Sequence, residues 1–177
     1  MRKLESKPDI RLRVDYDDPE LAAYHGLKLG DSWDIVTGPR KPLSAIYNEF
    51  PPDWPWYGFI GDDVMPETPE WEDVMVSAAG SDGMAHPSDP AHFVLAGALV
   101  REMGWIALPG LDRIYIDTVW KDIAEARGVL RDVGPVLSHR HFSNGGAVMD
   151  ATYRKRRNVE DRAVYKAWRR SFLSTMA

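Results

Sequence analysis

An α/β domain with a mixed, mostly parallel sheet flanked by helices is what this sequence predicts. Three observations lead there. Short apolar runs of strand length alternate with longer stretches whose apolar residues recur at helical spacing. Several of those runs stop at a glycine or an acid where strand would pass into helix. The composition is that of an ordinary folded chain: 177 residues, 44% hydrophobic and 28% charged, enough for one domain with a sizeable core.

Taken in order, Ile10–Val14 alternates apolar and basic residues as a strand does, and ends in the acidic cluster Asp15, Asp17, Asp18. Pro19 then favours a helix start, and residues 19–26 fit a short helix. Capping accounts for at least one of Asp17 and Asp18; Asp15 is the functional candidate. Trp33–Thr37 reads as a second strand, Gly38–Arg40 as a turn, and residues 42–50 as a helix with Leu43, Ile46, Tyr47 and Phe50 on one face. Arg40, just before that helix, places a planar fork of donors where a phosphate is well received; the plainer reading is a solvated surface arginine.

Tyr57, Phe59 and Ile60 read as a buried strand, cut off by Gly61–Asp62–Asp63. Adjacent carboxylates repel unless a cation or a hydroxyl-rich ligand relieves them, so this strand end is either a metal–phosphate seat or an Asp-rich turn. Thr68 as N-cap and Pro69 at the first helical position start the next helix, with Trp71, Val74, Met75 and Ala78 inward. Residues 81–90 form a turn-rich loop long enough to be a lid. His86 and His92 flank its end and, as lone loop histidines, are left out of the site. Strand-like runs follow at Phe93–Ala96 and Ile114–Ile116, with a short helix at residues 97–103 between them. Asp117 stands where strand passes to the helix 118–127, as an N-cap or as a general base facing the cleft.

Residues 129–133 and 136–138 read as two strands that deliver His139–Arg140–His141. Alternate strand residues share a face, so either imidazole, or both, can join a carboxylate-bound cation. The basic run Arg154–Arg157 precedes a final amphipathic helix from Asn158. The expected organisation is a catalytic domain over 1–153 with a helix over 154–177 packed on it.

Composition narrows the chemistry. With no cysteine, disulfides, thiolate catalysis and zinc–thiolate sites are excluded. A formal net charge of −5 argues against a general nucleic-acid or membrane binder. No apolar run is long enough to span a bilayer, and the polar opening Met1–Ile10 is no signal peptide, so a cytoplasmic location is the default expectation.

The order of these features resembles the family-2 glycosyltransferases of the GT-A fold, especially the small phage-type and bacterial members. It runs from strand and Asp15, through Arg40 with Leu43, Ala45 and Asn48, to Phe59–Asp63, Asp117 and His139. The resemblance covers about Ile10 to Tyr153. It implies a GT-A-like, Rossmann-like fold and an N-terminally short member, because Met1–Asp9 cannot supply the family's opening strand and helix. The acids are adjacent here rather than spaced as Asp-x-Asp. The implied activity is transfer of a sugar from a nucleotide-sugar donor, a UDP-sugar first, to a hydroxyl acceptor with inversion. The implied cofactor is Mn²⁺ or Mg²⁺. Asp15 would read the base, Arg40 would neutralise the diphosphate, Asp62 would contact ribose or sugar, and Asp63 would hold the metal. His139, with His141 as rival, would complete the metal site, and Asp117 would deprotonate the acceptor. Modified DNA is one acceptor class, on the strength of Arg154–Arg157; self-association is compatible with the pattern. The competing expectation is a non-catalytic nucleotide- or metal-binding module with a degenerate glycosyltransferase fold.

Overall fold

The structure is a computed structural model and describes residues 10–27, 33–51, 53–61, 64–140 and 158–176. Eight strands and six helices lie among the described residues, in a mixed α/β arrangement. None of those helices is long and apolar enough to cross a membrane. The chain divides into two compact units at Lys41/Pro42.

The first unit is built on β1 (Ile10–Asp15) and β2 (Trp33–Gly38), paired in parallel from Ile10↔Trp33 to Asp15↔Gly38. A parallel pair needs a crossover, and α1 (Leu21–His25) lies on it. Asp18 supplies the expected local bond: its Oδ1 accepts the Glu20 N–H at 2.8 Å. Val14 is buried, and Arg11 crosses the pair to Asp34 at 3.2 Å.

The second unit is organised around four strands in the order β3 (Trp56–Phe59), β6 (Phe93–Ala96), β5 (Met84–His86), β7 (Leu130–Asp132). Strand β6 runs against both neighbours, whereas β5 and β7 are parallel. The reversed β6 makes two of these three ladders antiparallel, so the sheet is mixed and not mostly parallel as the sequence predicted. Alternation along the strands covers both faces. Tyr57, Phe93, Leu95 and Met84 join a core with α4 (Gly97–Met103) and α5 (Ile116–Ala126). Val94 and Ala85 join a second core with Met75 and Ala79 of α3 (Trp71–Ala79). A small antiparallel ladder of β4 (Val64–Pro66) and β8 (Leu137–His139) adds Val136 and Leu137 to that second core.

Several local expectations change in the folded chain. Residues 84–86, expected inside a lid-like loop, form the central strand β5, because Met84 and Ala85 are fully buried between two neighbours. Gly83 is required there: a Cβ would stand 2.7 Å from the Ala79 carbonyl oxygen and 2.9 Å from that of Val129. Helix α3 begins at Trp71 with no side-chain cap, and Glu72 and Asp73 in its first turn complement the dipole instead of Thr68. Ile114–Ile116 is not a strand; Ile116 opens α5, whose buried residues Ile116, Val119, Trp120 and Ile123 hold the helical period.

The helix expected from residue 42 is α2 (Leu43–Tyr47), and Asn48 at its end is consumed structurally. Its side-chain oxygen accepts the N–H groups of Ile106 and Ala107 at 2.7 and 2.9 Å, and its amide donates to the Ala107 carbonyl at 2.8 Å. The last helix, α6 (Asn158–Met176), packs Val164, Tyr165, Trp168 and Phe172 against the first of the two cores.

Candidate metal centre

The ends of β3, β5 and β7 and the start of β6 lie along one sheet edge, because Phe59 pairs with Phe93 and His86 with Asp132. Open α/β sheets bind ligands beyond the carboxyl ends of their strands. Three side chains meet at this edge: Asp89 and His92 from the β5–β6 connection, and His139 from the end of β8. One candidate ligand atom from each lies within 4.8 Å of the others.

Each member is held by the backbone around it. Asp89 folds its own loop, Oδ1 accepting the Ala91 N–H at 3.0 Å. Its Oδ2 lies 2.9 Å from His139 Nδ1. Burial pushes the Asp89 carboxyl up, but the bonds from Ala91 and His139 and the imidazole charges outweigh it and hold it below the usual range. An ionised carboxylate only accepts, so His139 Nδ1 is the donor of this bond. His92 is 5% exposed, its Nδ1 accepts the Gly61 N–H at 3.3 Å, and its ring meets His139 edge-on at 4.4 Å.

Two imidazoles and a carboxylate suit Mn, Fe, Co or Zn better than Mg, which prefers all-oxygen sites. Three protein ligands leave positions open for substrate oxygens. Asp89 serves such an ion either directly or by orienting His139, as carboxylates behind metal-bound histidines do.

Asp117 sits in the first turn of α5. Burial raises its carboxyl pKa. Bonds from its own and the Thr118 backbone N–H, and from the Thr118 hydroxyl, pull it down, while the negative charge of Asp89 pushes it up again; the net shift is upward.

The expected residues thus fall into three groups. His139 is a member of this centre, and Asp117 feels the charge of Asp89 from the first turn of α5. Asp62, Asp63 and His141, like the run Arg154–Arg157, lie outside the described residues. The residues bracketing the two acids in sequence are described: Gly61 bonds to His92, and Val64 pairs with His139.

Asp15 and Arg40 belong to the first unit and bind there. Arg40 reaches Asp15 Oδ2 at 3.5 Å and forks onto Asp17 with Nη2 at 3.2 Å and Nε at 3.3 Å. Arg13 takes the other Asp15 oxygen at 3.3 Å.

Asp89 and His92 are the additions to the expected set. Their signal was the Asp-x-x-His spacing just before a strand, which gains meaning only when a third ligand arrives from β8. His86, by contrast, is buried with Nδ1 against the Pro87 carbonyl, a local structural bond. No protein-family model, curated protein or solved structure matches this chain.

Proposed function

We propose that the protein is a metal-dependent glycosyltransferase of GT-A type. The reading is carried by the meeting of His139 with Asp89 and His92 at a sheet edge within electrostatic reach of the raised carboxyl of Asp117. His92 and His139 would hold a divalent cation, Mn²⁺ ahead of Mg²⁺ on donor chemistry, with Asp89 ligating or orienting and Asp63 as the family pattern implies. When bound, the cation supplies Lewis-acid stabilisation to the departing nucleoside diphosphate.

Asp117 takes the proton of the acceptor hydroxyl as the oxygen attacks the sugar carbon and the bond to the diphosphate breaks on the opposite face, giving inversion. Its elevated pKa fits this duty, since a more basic carboxylate accepts a proton more readily near neutral pH. Asp15, Arg40 and Asp62 are the residues whose substitution tests donor binding, a UDP-sugar being the first donor to try.

A screen of nucleotide sugars by thermal shift, with and without Mn²⁺, tests the proposal, because a ligand of the folded state raises Tm by mass action. The expected result is a Tm increase for one nucleotide sugar that depends on Mn²⁺ and is followed by sugar release or transfer. Failure of every donor to shift Tm in the presence of Mn²⁺ defeats the reading. A second reading is a metal- and nucleotide-binding module without transfer. It is favoured by the engagement of Arg40 with Asp15 and Asp17, which competes with a diphosphate. Binding with no turnover of any donor selects it.

A further inference from the structure

Helix α6 reaches the loop that leads into α5 through a stripe of residues one turn apart. Asp161 is 2% exposed, yet its charge is fully served: Oδ1 accepts the N–H of Asp112 at 2.6 Å, and Oδ2 accepts those of Arg113 and Ile114 at 2.9 and 2.8 Å. One turn later the Tyr165 ring stacks on Tyr115, with centroids 4.8 Å apart and planes 7° from parallel. The Tyr165 hydroxyl donates to Asp122 Oδ2 at 2.8 Å, and Arg169 Nε donates to the same oxygen at 2.8 Å.

The segment so gripped is strained. Tyr115 has φ +69°, and among the described residues no other non-glycine has positive φ. It stands at the N-cap of α5, where no side chain caps the helix. A left-handed tyrosine persists only where its surroundings over-determine it. Here they act from two sides: the Leu43 N–H donates to the Asp112 carbonyl at 2.7 Å, and Ser44 to that of Leu111, opposite the grip of Asp161. Asp117 lies between the two gripped points, two residues after Tyr115 and five before Asp122.

We propose that the Asp161–Tyr165–Arg169 stripe of α6 is a positioning element that fixes where the Asp117 carboxyl stands for proton transfer. The inference rests on the reading of Asp117 as the base. Its chemical content is that α6, distant from Asp117 in sequence and touching no substrate, sets kcat and leaves metal and donor binding alone.

Asp161→Asn, Tyr165→Ala and the conservative Tyr165→Phe test it in the full chain. Three readouts apply: carbodiimide labelling of the Asp117 carboxyl, amide exchange over Asp112–Ile114, and kcat against donor KM. In Asp161→Asn and Tyr165→Ala, exchange and labelling should both rise about tenfold, as local opening becomes easier. A misplaced base should then lower kcat by about 100-fold, with donor KM within about twofold of wild type. Tyr165→Phe keeps the stacked ring and should return kcat to within about threefold of wild type.

Folded variants with wild-type labelling and wild-type kcat overturn the proposal. So does a loss of kcat matched by an equal rise in KM and a fall in Tm, the mark of general destabilisation. If Asp161→Asn fails to fold, the two Tyr165 variants decide. If wild-type protein transfers no sugar, the glycosyltransferase reading fails by itself, and labelling and exchange still judge the grip of α6 on Asp117.

Discussion

Two clusters of charged side chains sit at strand ends in this molecule, one in each unit, and they are built on opposite principles. In the first unit Arg13 and Asp15 are mostly covered, 15% and 22% exposed, while Arg40 and Asp17 pair in solvent at 54% and 65%. Their charges cancel locally, and such exposed pairs contribute about 0–1 kcal/mol each. In the second unit Asp89, His92 and His139 are buried or half-buried and use neutral-capable donors around one carboxylate. There desolvation competes with specific hydrogen bonds, pushing Asp117 up while Asp89 is held down. The two carboxyls shift in opposite directions, Asp89 down through its bonds to Ala91 and His139 and Asp117 up through burial. The first cluster neutralises itself; the second is organised for something added.

The largest expected effect comes from Asp117→Asn. The amide keeps the shape and cannot take a proton, so transfer should fall by about 10²–10⁴-fold, with nucleotide binding nearly intact by calorimetry. Stability should move the other way. A carboxyl whose folded pKa lies above its unfolded value binds its proton more tightly when folded. Its ionisation therefore costs stability as pH rises through that window, and the cost remains at neutral pH. Removing the ionisable group should raise Tm at pH 7 and leave it nearly unchanged at pH 3. A Tm that falls at pH 7 would show that Asp117 is a structural cap and no site residue.

The candidate metal ligands come next. His139→Ala and His92→Ala should each weaken Mn²⁺ or Co²⁺ binding by about 100-fold or more, whereas Asp89→Asn, if its oxygen only orients His139, should cost about 10–100-fold. Titration followed by calorimetry or by the Co²⁺ absorption bands separates these cases. Equal losses from all three variants make Asp89 a direct ligand. Acid adds an independent check. Asp89 is held below its ordinary pKa, so its contribution to stability is complete above the unfolded value and is lost as pH falls through the folded one. Imidazole protonation competes with the metal as well, so affinity should decline on acidification.

Much of the architecture was legible because it is periodic. The α5 stripe, the apolar run of β6 and the alternation in β1 all announced themselves, whereas the strand expected before Asp117 is absent, because Ile116 already opens α5. What escaped the sequence was whatever depends on a partner far along the chain. Strand β5 is three residues long and looks like loop; only its neighbours β6 and β7 make it a strand. His92 looks incidental until β8 brings His139 to its ring. Asp161 went unremarked in the sequence, yet it is a buried acceptor for three amides of a loop 47–49 residues away. Arg40 is paired where its position before a helix suggested either phosphate or plain solvent: Asp15 and Asp17 hold it.

That grip yields the smallest effect and the sharpest use of the contrast between the clusters. Asp17→Asn breaks an exposed fork, so it should change stability by less than about 1 kcal/mol and leave metal affinity at the histidines untouched. Its effect on a diphosphate is where the two readings of Arg40 part. If the guanidinium serves the donor, Asp17 is its competitor, and removing that carboxylate frees two donors and one positive charge for phosphate. UDP should then bind about 2–5-fold more tightly at low ionic strength, the gain fading as salt screens an exposed site. Arg40→Ala should abolish the gain. If Arg40 is only a surface arginine, UDP affinity will be indifferent to both substitutions. The first unit is then a self-neutralised scaffold, and under the proposed function the donor's charge falls to the candidate metal centre of the second.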